Sequence, residues 1–417
     1  MIALFNFNDY LGGGETIFTR WADYLQKGSL DFKLFYPAKS FIADELDRLG
    51  ISQEHLCPYD GDVNYYYLSK EERRVFVNWI YSKLIDASKV KLVSFCMREL
   101  LTLVDVAKKN DSYTLTHLIL HDEDNLYVCQ SLADKFLYKM KGIRRFSNKK
   151  QLTFNNHLLQ KLVDAGGLVA EKMTTKLILA KYGISINDDI IVPPPMCVFP
   201  EEVPVVENNK RIIWLGRIVD FKLPAICSML SFVCTHKDYS LTIIGDGAID
   251  FLKNYMESNS LTYDNVNFMG VVPYDKIAGI IKKHSIGYAC GTSIVEIGQH
   301  GLPVITALAA PSHSLFKRPI CGGIYNNKYK GNEGNNLFIG ETEEEQPTIE
   351  ETISFIERDY NVAAEKSFTA MKEDFDMIPN FERYHKIINS AKRVDVQALD
   401  TPYCSNIRRF LFQRITN

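Results

Sequence analysis

Three short stretches in the second half of the chain carry residues able to hold a doubly charged anion. The first is GTSIVEIGQHGLPVI at residues 291–305, entered through the apolar run SIGYAC at 285–290. Residues 286–290 predict a short buried strand, with Gly291 as its turn and Ser293 as the N-cap of a brief helix. Gly301 then reads as the C-cap ahead of Pro303, and residues 304–306 as the next strand. A helix opening on Thr292 and Ser293 offers free backbone N–H groups and the positive end of its dipole to an anion. Glu296 falls one turn inside it. The other two stretches are RIIWLGRIVDFK at 211–222 and LTIIGDG at 241–247. Each predicts a buried strand ending in glycine, at Gly216 and at Gly245. Ligands of an open parallel sheet gather outside the carboxyl ends of its strands. Arg217 and Lys222 follow one such end and the Gly291 turn follows another. Two cations and a helix N-terminus on one crevice are what a diphosphate needs; the bland alternative is two solvated surface cations.

Three further sets of residues carry chemistry. Residues 12–16, GGGET, follow an apolar run at 2–7 and open a helix. Ile17 stands where a dinucleotide fingerprint would have its third glycine, so Gly13 and Gly14 serve close approach of the backbone to a ligand cleft instead. His121-Asp122-Glu123-Asp124 follows a strand. It reads as an Asp-x-Asp metal and diphosphate site, as a histidine facing a cleft, or as an acidic surface loop. Residues 135–150, KFLYKMKGIRRFSNKK, concentrate basic and aromatic side chains in an otherwise acidic chain. They suit anionic lipid or an anionic acceptor, or form a solvated face. No recognised module surrounds them that would read nucleic acid.

These residues need a scaffold, and the alternation of patterns supplies one. Strands are expected at 2–7, 32–36, 91–95 and 116–120, with helices at 15–27, 41–49, 69–85 and 98–109. That pitch predicts a parallel sheet with helices on both faces. The chain has 417 residues, too many for one ordinary core and suited to two α/β domains. Pro193-Pro194-Pro195 and the Val/Pro/Glu-rich stretch to Asn209 read as the linker. Helices follow at 274–283, 349–357, 362–375 and 381–391, and the Gly/Asn-rich residues 326–340 predict a mobile loop. A net charge of −3 exerts no general pull on nucleic acid. Nine cysteines lack any zinc spacing and read as free thiols in a reducing cytosol. No basic leader opens the chain, and no apolar run reaches transmembrane length.

The order of these motifs is similar to the nucleotide-sugar half of glycosyltransferases of family 4. It runs G-R-x4-K, then the strand with GDG, then VNFMGVVPYDKI at 266–277, then G-T-S-x-x-E-x4-G-x-P-V-I. The glycine loop followed by Glu15, the step GLVAEKMTTK at 167–176, and YGI before IIVPPP agree with it. The resemblance covers residues 1 to about 310. It implies the α/β GT-B fold, two Rossmann-like domains facing each other across a cleft. Residues 1–195 would form the acceptor-side domain and 196–380 the nucleotide-sugar domain, with 381–417 crossing back to the first. It further implies a metal-independent, retaining glycosyltransferase without a cofactor, taking its sugar from a nucleotide diphosphate sugar. The acceptor would be a surface glycan or its lipid carrier. The expected place is the cytoplasm, with contact through 135–150 at the inner face of the membrane. His121, Arg217 and Lys222 would be catalytic. Gly13, Gly14, Gly216, Gly245, Gly291, Thr292, Ser293 and Glu296 would bind the donor, Glu296 through the ribose hydroxyls. The family carries a second glutamate eight positions before Glu296, facing the transferred sugar, where this chain has Tyr288. A nucleotide-sugar epimerase and a non-catalytic GT-B binding protein remain as alternatives.

Overall fold

The computed structural model describes residues 1–8, 13–61, 68–120, 149–311 and 314–401. The chain divides into two compact units, Met1–Val192 with Phe381–Asn417, and Pro193–Asn380.

In the first unit the elements run β1 (Ile2–Phe5), α1 (Gly13–Lys27), β2 (Phe32–Pro37), α2 (Phe41–Arg48), β3 (Leu56–Tyr59), α3 (Lys70–Ser82) and β4 (Lys91–Ser94). They continue with α4 (Met97–Ala107), β5 (Thr114–Ile119), α5 (Lys149–Asp164), β6 (Leu168–Ala170) and α6 (Met173–Ala180). All strands pair in parallel, in the order β3-β2-β1-β4-β5-β6. β1 is apolar and buried on both faces, and so are Leu92 and Val93 at the centre of β4, as a sheet covered by helices requires. β3 was not expected. It carries Pro58, which cannot donate to a ladder, and has no clean alternation, so it lies at the edge beside β2. The strand before His121 is therefore the fifth, not the fourth.

In the second unit come β7 (Arg211–Leu215), α7 (Leu223–Thr235), β8 (Ser240–Ile244), α8 (Ile249–Ser258), β9 (Val266–Gly270), α9 (Tyr274–Ile281) and β10 (Ile286–Ala289). After them come α10 (Ser293–Gly298), β11 (Val304–Thr306), α11 (Ile349–Arg358), α12 (Tyr360–Phe375) and α13 (Met377–Ser390). The sheet is again parallel, in the order β11-β10-β7-β8-β9. α13 runs on into the first unit, where Phe381 stacks on Trp21 and Trp21 Nε1 donates to His385 Nε2 at 3.2 Å.

Two segments differ from the sequence expectation. The proline-rich stretch is pinned rather than free: Met196 N donates to Phe375 O and Met377 N to Cys197 O, while Phe199 packs edge-on to Phe368. Residues 326–340 were expected to be mobile, yet Asn332, Glu333 and Asn336 are buried. Their amides enter a bonded network instead of facing water. Burial alone would raise the Glu341 carboxyl, but bonds from Lys328, Tyr329, Gln346 and Asn336 outweigh it and hold it at about 2. Asp374 accepts from Tyr325 Oη at 2.6 Å and Gly331 N at 2.9 Å.

Candidate functional site

In both sheets the chain lays strands to one side of its first strand and then reverses. The reversal falls between β1 and β4 in the first unit and between β7 and β10 in the second. Crevices at such points are where open α/β sheets take ligands.

At the second crevice the expected residues come together. Gly216 has φ +139, and a Cβ there would stand 3.3 Å from Ser293 Oγ and 3.5 Å from Lys222 Nζ. The indole of Trp214, inside β7, donates to Gly216 O at 3.1 Å and fixes that turn. Lys222 is half-buried and its ammonium donates to Cys290 O, the carbonyl just past β10, at 3.1 Å. Gly245 has φ +148, and a Cβ there would lie 2.0 Å from Gly216 O, so the loops after β7 and β8 meet main chain to main chain. Arg217 is exposed beside them. Gly291 (φ +81) turns the chain after β10, and its N–H donates to Glu333 O at 2.9 Å. Sequence reasoning missed that support, because it took the Glu333 segment for a loose loop.

Some details correct the expectation. Ser293 is the first residue of α10; Thr292 is the N-cap, with no side-chain cap bond. The helix closes at Gln299, not at Gly301. Gly301 (φ +84) is needed for another reason: a Cβ would lie 2.2 Å from Pro204 O. With six residues, α10 has a weak dipole. What it offers is local, since the N–H groups of Thr292 and Ser293 have no backbone acceptor among the described residues. Glu296 accepts from Tyr274 Oη at 3.3 Å, a contact between the ends of β9 and β10 that no local pattern signals.

Tyr288 has no exposed surface. It packs against Trp214 with ring centroids 5.6 Å apart, and its hydroxyl donates to Ala225 O at 2.9 Å inside the core under α7. The position eight residues before Glu296 thus lies within β10, with its side chain buried against the first turn of α7.

The first crevice is built differently. Glu99, fully buried, accepts from Phe7 N (2.8 Å), Phe95 N (2.8 Å) and Cys96 N (3.1 Å). Burial pushes its carboxyl up to about 7, against the pull of these amides and of Arg98. Arg98 also donates to Asn8 Oδ1, and Asn8 Nδ2 donates to Glu15 Oε1 at 2.7 Å. N–H groups that would face an incoming anion here already hold the protein's own carboxylate. Gly13 and Gly14 are the first two residues of α1, and a Cβ on Gly14 would stand 3.1 Å from Leu120 Cδ1. His121, Asp122 and Asp124 and nearly all of the basic stretch 135–150 lie outside the described residues.

No protein-family model and no curated protein matches the sequence. Solved structures do. A glycosyltransferase from Rickettsia africae is 12% identical, with 94% of this chain and 98% of that one covered and a TM-score of 0.60. The lipopolysaccharide outer core galactosyltransferase WaaB is 16% identical over 94% of this chain and 99% of its own, with a TM-score of 0.57. Anabaena HepE, solved with UDP and glucose, is 12% identical over 93% and 99%, with a TM-score of 0.56. The fold is GT-B. Within a GT-B chain, the crevice at β7 and β10 is the better of the two for an anion, because its amides are open. Among the described residues no helix is long and apolar enough to cross a membrane.

Proposed function

We propose that this GT-B chain is a glycosyltransferase that moves a sugar from a nucleotide diphosphate sugar to a glycan or lipid-linked acceptor. The observation that carries the reading is the β7/β10 crevice, where Lys222 Nζ and the Ser293 hydroxyl both stand over the bare face of Gly216. Negative charge grows on the diphosphate as the sugar leaves, and fixed donors aimed there lower the barrier. Arg217 and Lys222 take that role. Glu296 takes the ribose hydroxyls. His121, Gly13 and Gly14 serve the sugar and acceptor side. Membership of family 4 is supported by the order of motifs.

With these cations at the leaving group, transfer needs neither metal nor cofactor. The acceptor oxygen bonds the anomeric carbon on the face from which the phosphate departs, and the departing phosphate oxygen accepts the acceptor's proton. Configuration is retained. The enzyme works in the cytoplasm, with residues 135–150 resting on anionic lipid. Exchange of Arg144, Arg145, Lys149 and Lys150 for Ser should then weaken flotation with anionic vesicles and leave nucleotide affinity intact; unchanged flotation would remove the membrane contact.

Thermal stabilisation by a panel of nucleotide sugars tests the core of the proposal, because a ligand of the native state raises its apparent stability. Stabilisation with sugar transfer or hydrolysis is expected. Inversion at C2 without an acceptor would make the chain an epimerase, and binding without turnover a non-catalytic protein.

A further inference from the structure

The second sheet breaks its own pattern on one face. Inner strands of a parallel sheet are apolar on both sides, and β8 is an inner strand, lying between β7 and β9. One of its sides, Leu241 and Ile243, is core. On the other, Ile244 packs with Ile213, Leu215 and Ile281, but Ser240 and Thr242 are polar and half-buried. Asn267 of β9 pairs with Thr242, and Arg211 of β7 with Ser240. α9 is too short to cover them. It ends at Ile281, and a groove of about 400 Å³ opens there over the strands. Small-ligand sites occupy about 300–1,000 Å³.

His284 lines this groove just past α9 and is 6% exposed. Its Nδ1 lies 2.8 Å from Ile280 O, a carbonyl that can only accept, so Nδ1 carries the proton. Nε2 then accepts from Thr242 Oγ1 at 2.8 Å, and the hydroxyl oxygen keeps its own acceptor capacity. Burial, helped by the charges of Arg211 and Lys283, lowers the pKa of the ring and keeps it neutral. The side chains of Arg211, Ser240, Asn267 and Lys283 line the same groove and have no hydrogen-bond or ion-pair partner among the described residues. Asp264 lines it too, so the groove is no plain anion patch.

We infer that this groove is a second ligand site, and that it takes a saccharide bearing one acidic group, a carboxylate or a phosphate. Arg211 and Lys283 meet the acid, the guanidinium by its planar fork and the ammonium as a point charge. Ring hydroxyls both donate and accept, and Ser240, Thr242, Asn267 and Asp264 offer both kinds of partner. Met269, 40% exposed, and Ile280 give the C–H face of the ring an apolar wall. Breaks of a local rule, such as polar side chains inside a parallel sheet, gather at functional sites. β7 separates this site from the β7/β10 crevice: Arg211 begins the strand and Gly216 follows it, about 16 Å away at the rise of a strand. Occupation of one site does not require the other.

The test is calorimetric titration of the full-length protein with glucose 1-phosphate, glucuronic acid, glucose and inorganic phosphate, each with and without saturating UDP. At least one acidic sugar should bind about ten-fold or more tightly than glucose and than phosphate, whether or not UDP is present. The tighter of the two tells a phosphate from a carboxylate ligand. Arg211→Ala should weaken that binding about ten-fold and Asn267→Ala about three-fold, with UDP affinity unchanged. Both positions are exposed, so the variants keep the fold, which thermal midpoints check. No binding of either acidic sugar, glucose or phosphate binding as tightly, loss of binding when UDP is added, or an affinity unchanged in either variant overturns the inference and leaves the proposed function standing. Failure of UDP to bind would touch the proposed function alone.

Discussion

Lys222 sets the expectations at the scale of the residue. Its ammonium is half-buried against the Cys290 carbonyl, where screening is weaker than in water. A charge-assisted bond is worth about 1.5–3 kcal/mol, so Lys222→Ala should lower kcat by about ten- to a hundred-fold in steady-state transfer assays. Arg217→Ala should also lower kcat, whereas Glu296→Gln should raise the donor KM more than it lowers kcat, because the ribose changes little during the reaction. Equal and small effects at Arg217 and Lys222 would place the donor elsewhere. Tyr288→Phe makes the contrasting case. It removes one hydrogen bond from the Ala225 carbonyl, which keeps its place in the helical ladder, at about 0.5–1.5 kcal/mol seen as an earlier urea midpoint, and should leave kcat and KM where they were. Lys222, Gly216 and Glu296 were legible in the sequence because glycine at a strand end and a cation just beyond it are local patterns. Burial of Tyr288 was legible in principle too, since Ile286, Tyr288 and Cys290 share one side of a strand. Its meaning was not, because motif spacing alone sets that position opposite the sugar.

Two elements, α4 and α10, occupy matching places after β4 and β10, and their first turns differ. In α4 the glutamate at the third position folds back and caps the amides; in α10 Glu296 sits one residue further on and bonds outward to Tyr274. The inward Glu99 has a consequence for pH. Burial raises its folded-state value to about 7 from 4.5, so its contribution to stability is fully present below 4.5 and is lost as pH rises through 7. Thermal midpoints of the wild type should therefore fall between pH 5 and pH 8, and Glu99→Gln should flatten that slope; an equal slope in the variant would assign the pH dependence to other groups. Element order and type were largely readable, because apolar runs and helical periods are set by neighbours in sequence. What escaped was decided at a distance. β3 exists because β2 offers it an edge, and residues 326–340 are ordered because Asp374 and Glu341 accept from them. Composition reports the amides of such a loop but not their partners.

For the whole molecule, two parallel sheets with the same kind of reversal form the GT-B fold, and one reversal is filled from within while the other is open. If cations and amides at the open one suffice for the diphosphate, turnover should survive excess EDTA. Loss of activity that manganese restores would transfer the chemistry to Asp122 and Asp124. The contact of Gly245 with Gly216 O has its own consequence, in the language of hydrogen exchange. Because no side chain separates the two loops, they bond like an extra rung of the sheet, Gly216 N to Ile244 O, Ile218 N to Asp246 O and Ala248 N to Ile218 O. Those amides should resist deuterium whether or not a ligand is present, since they exchange only when the sheet opens. The amides of Thr292 and Ser293 should exchange at once in the free protein and slow when a nucleoside diphosphate is added. Binding would then be recorded as a footprint two residues wide against a rim that was already protected.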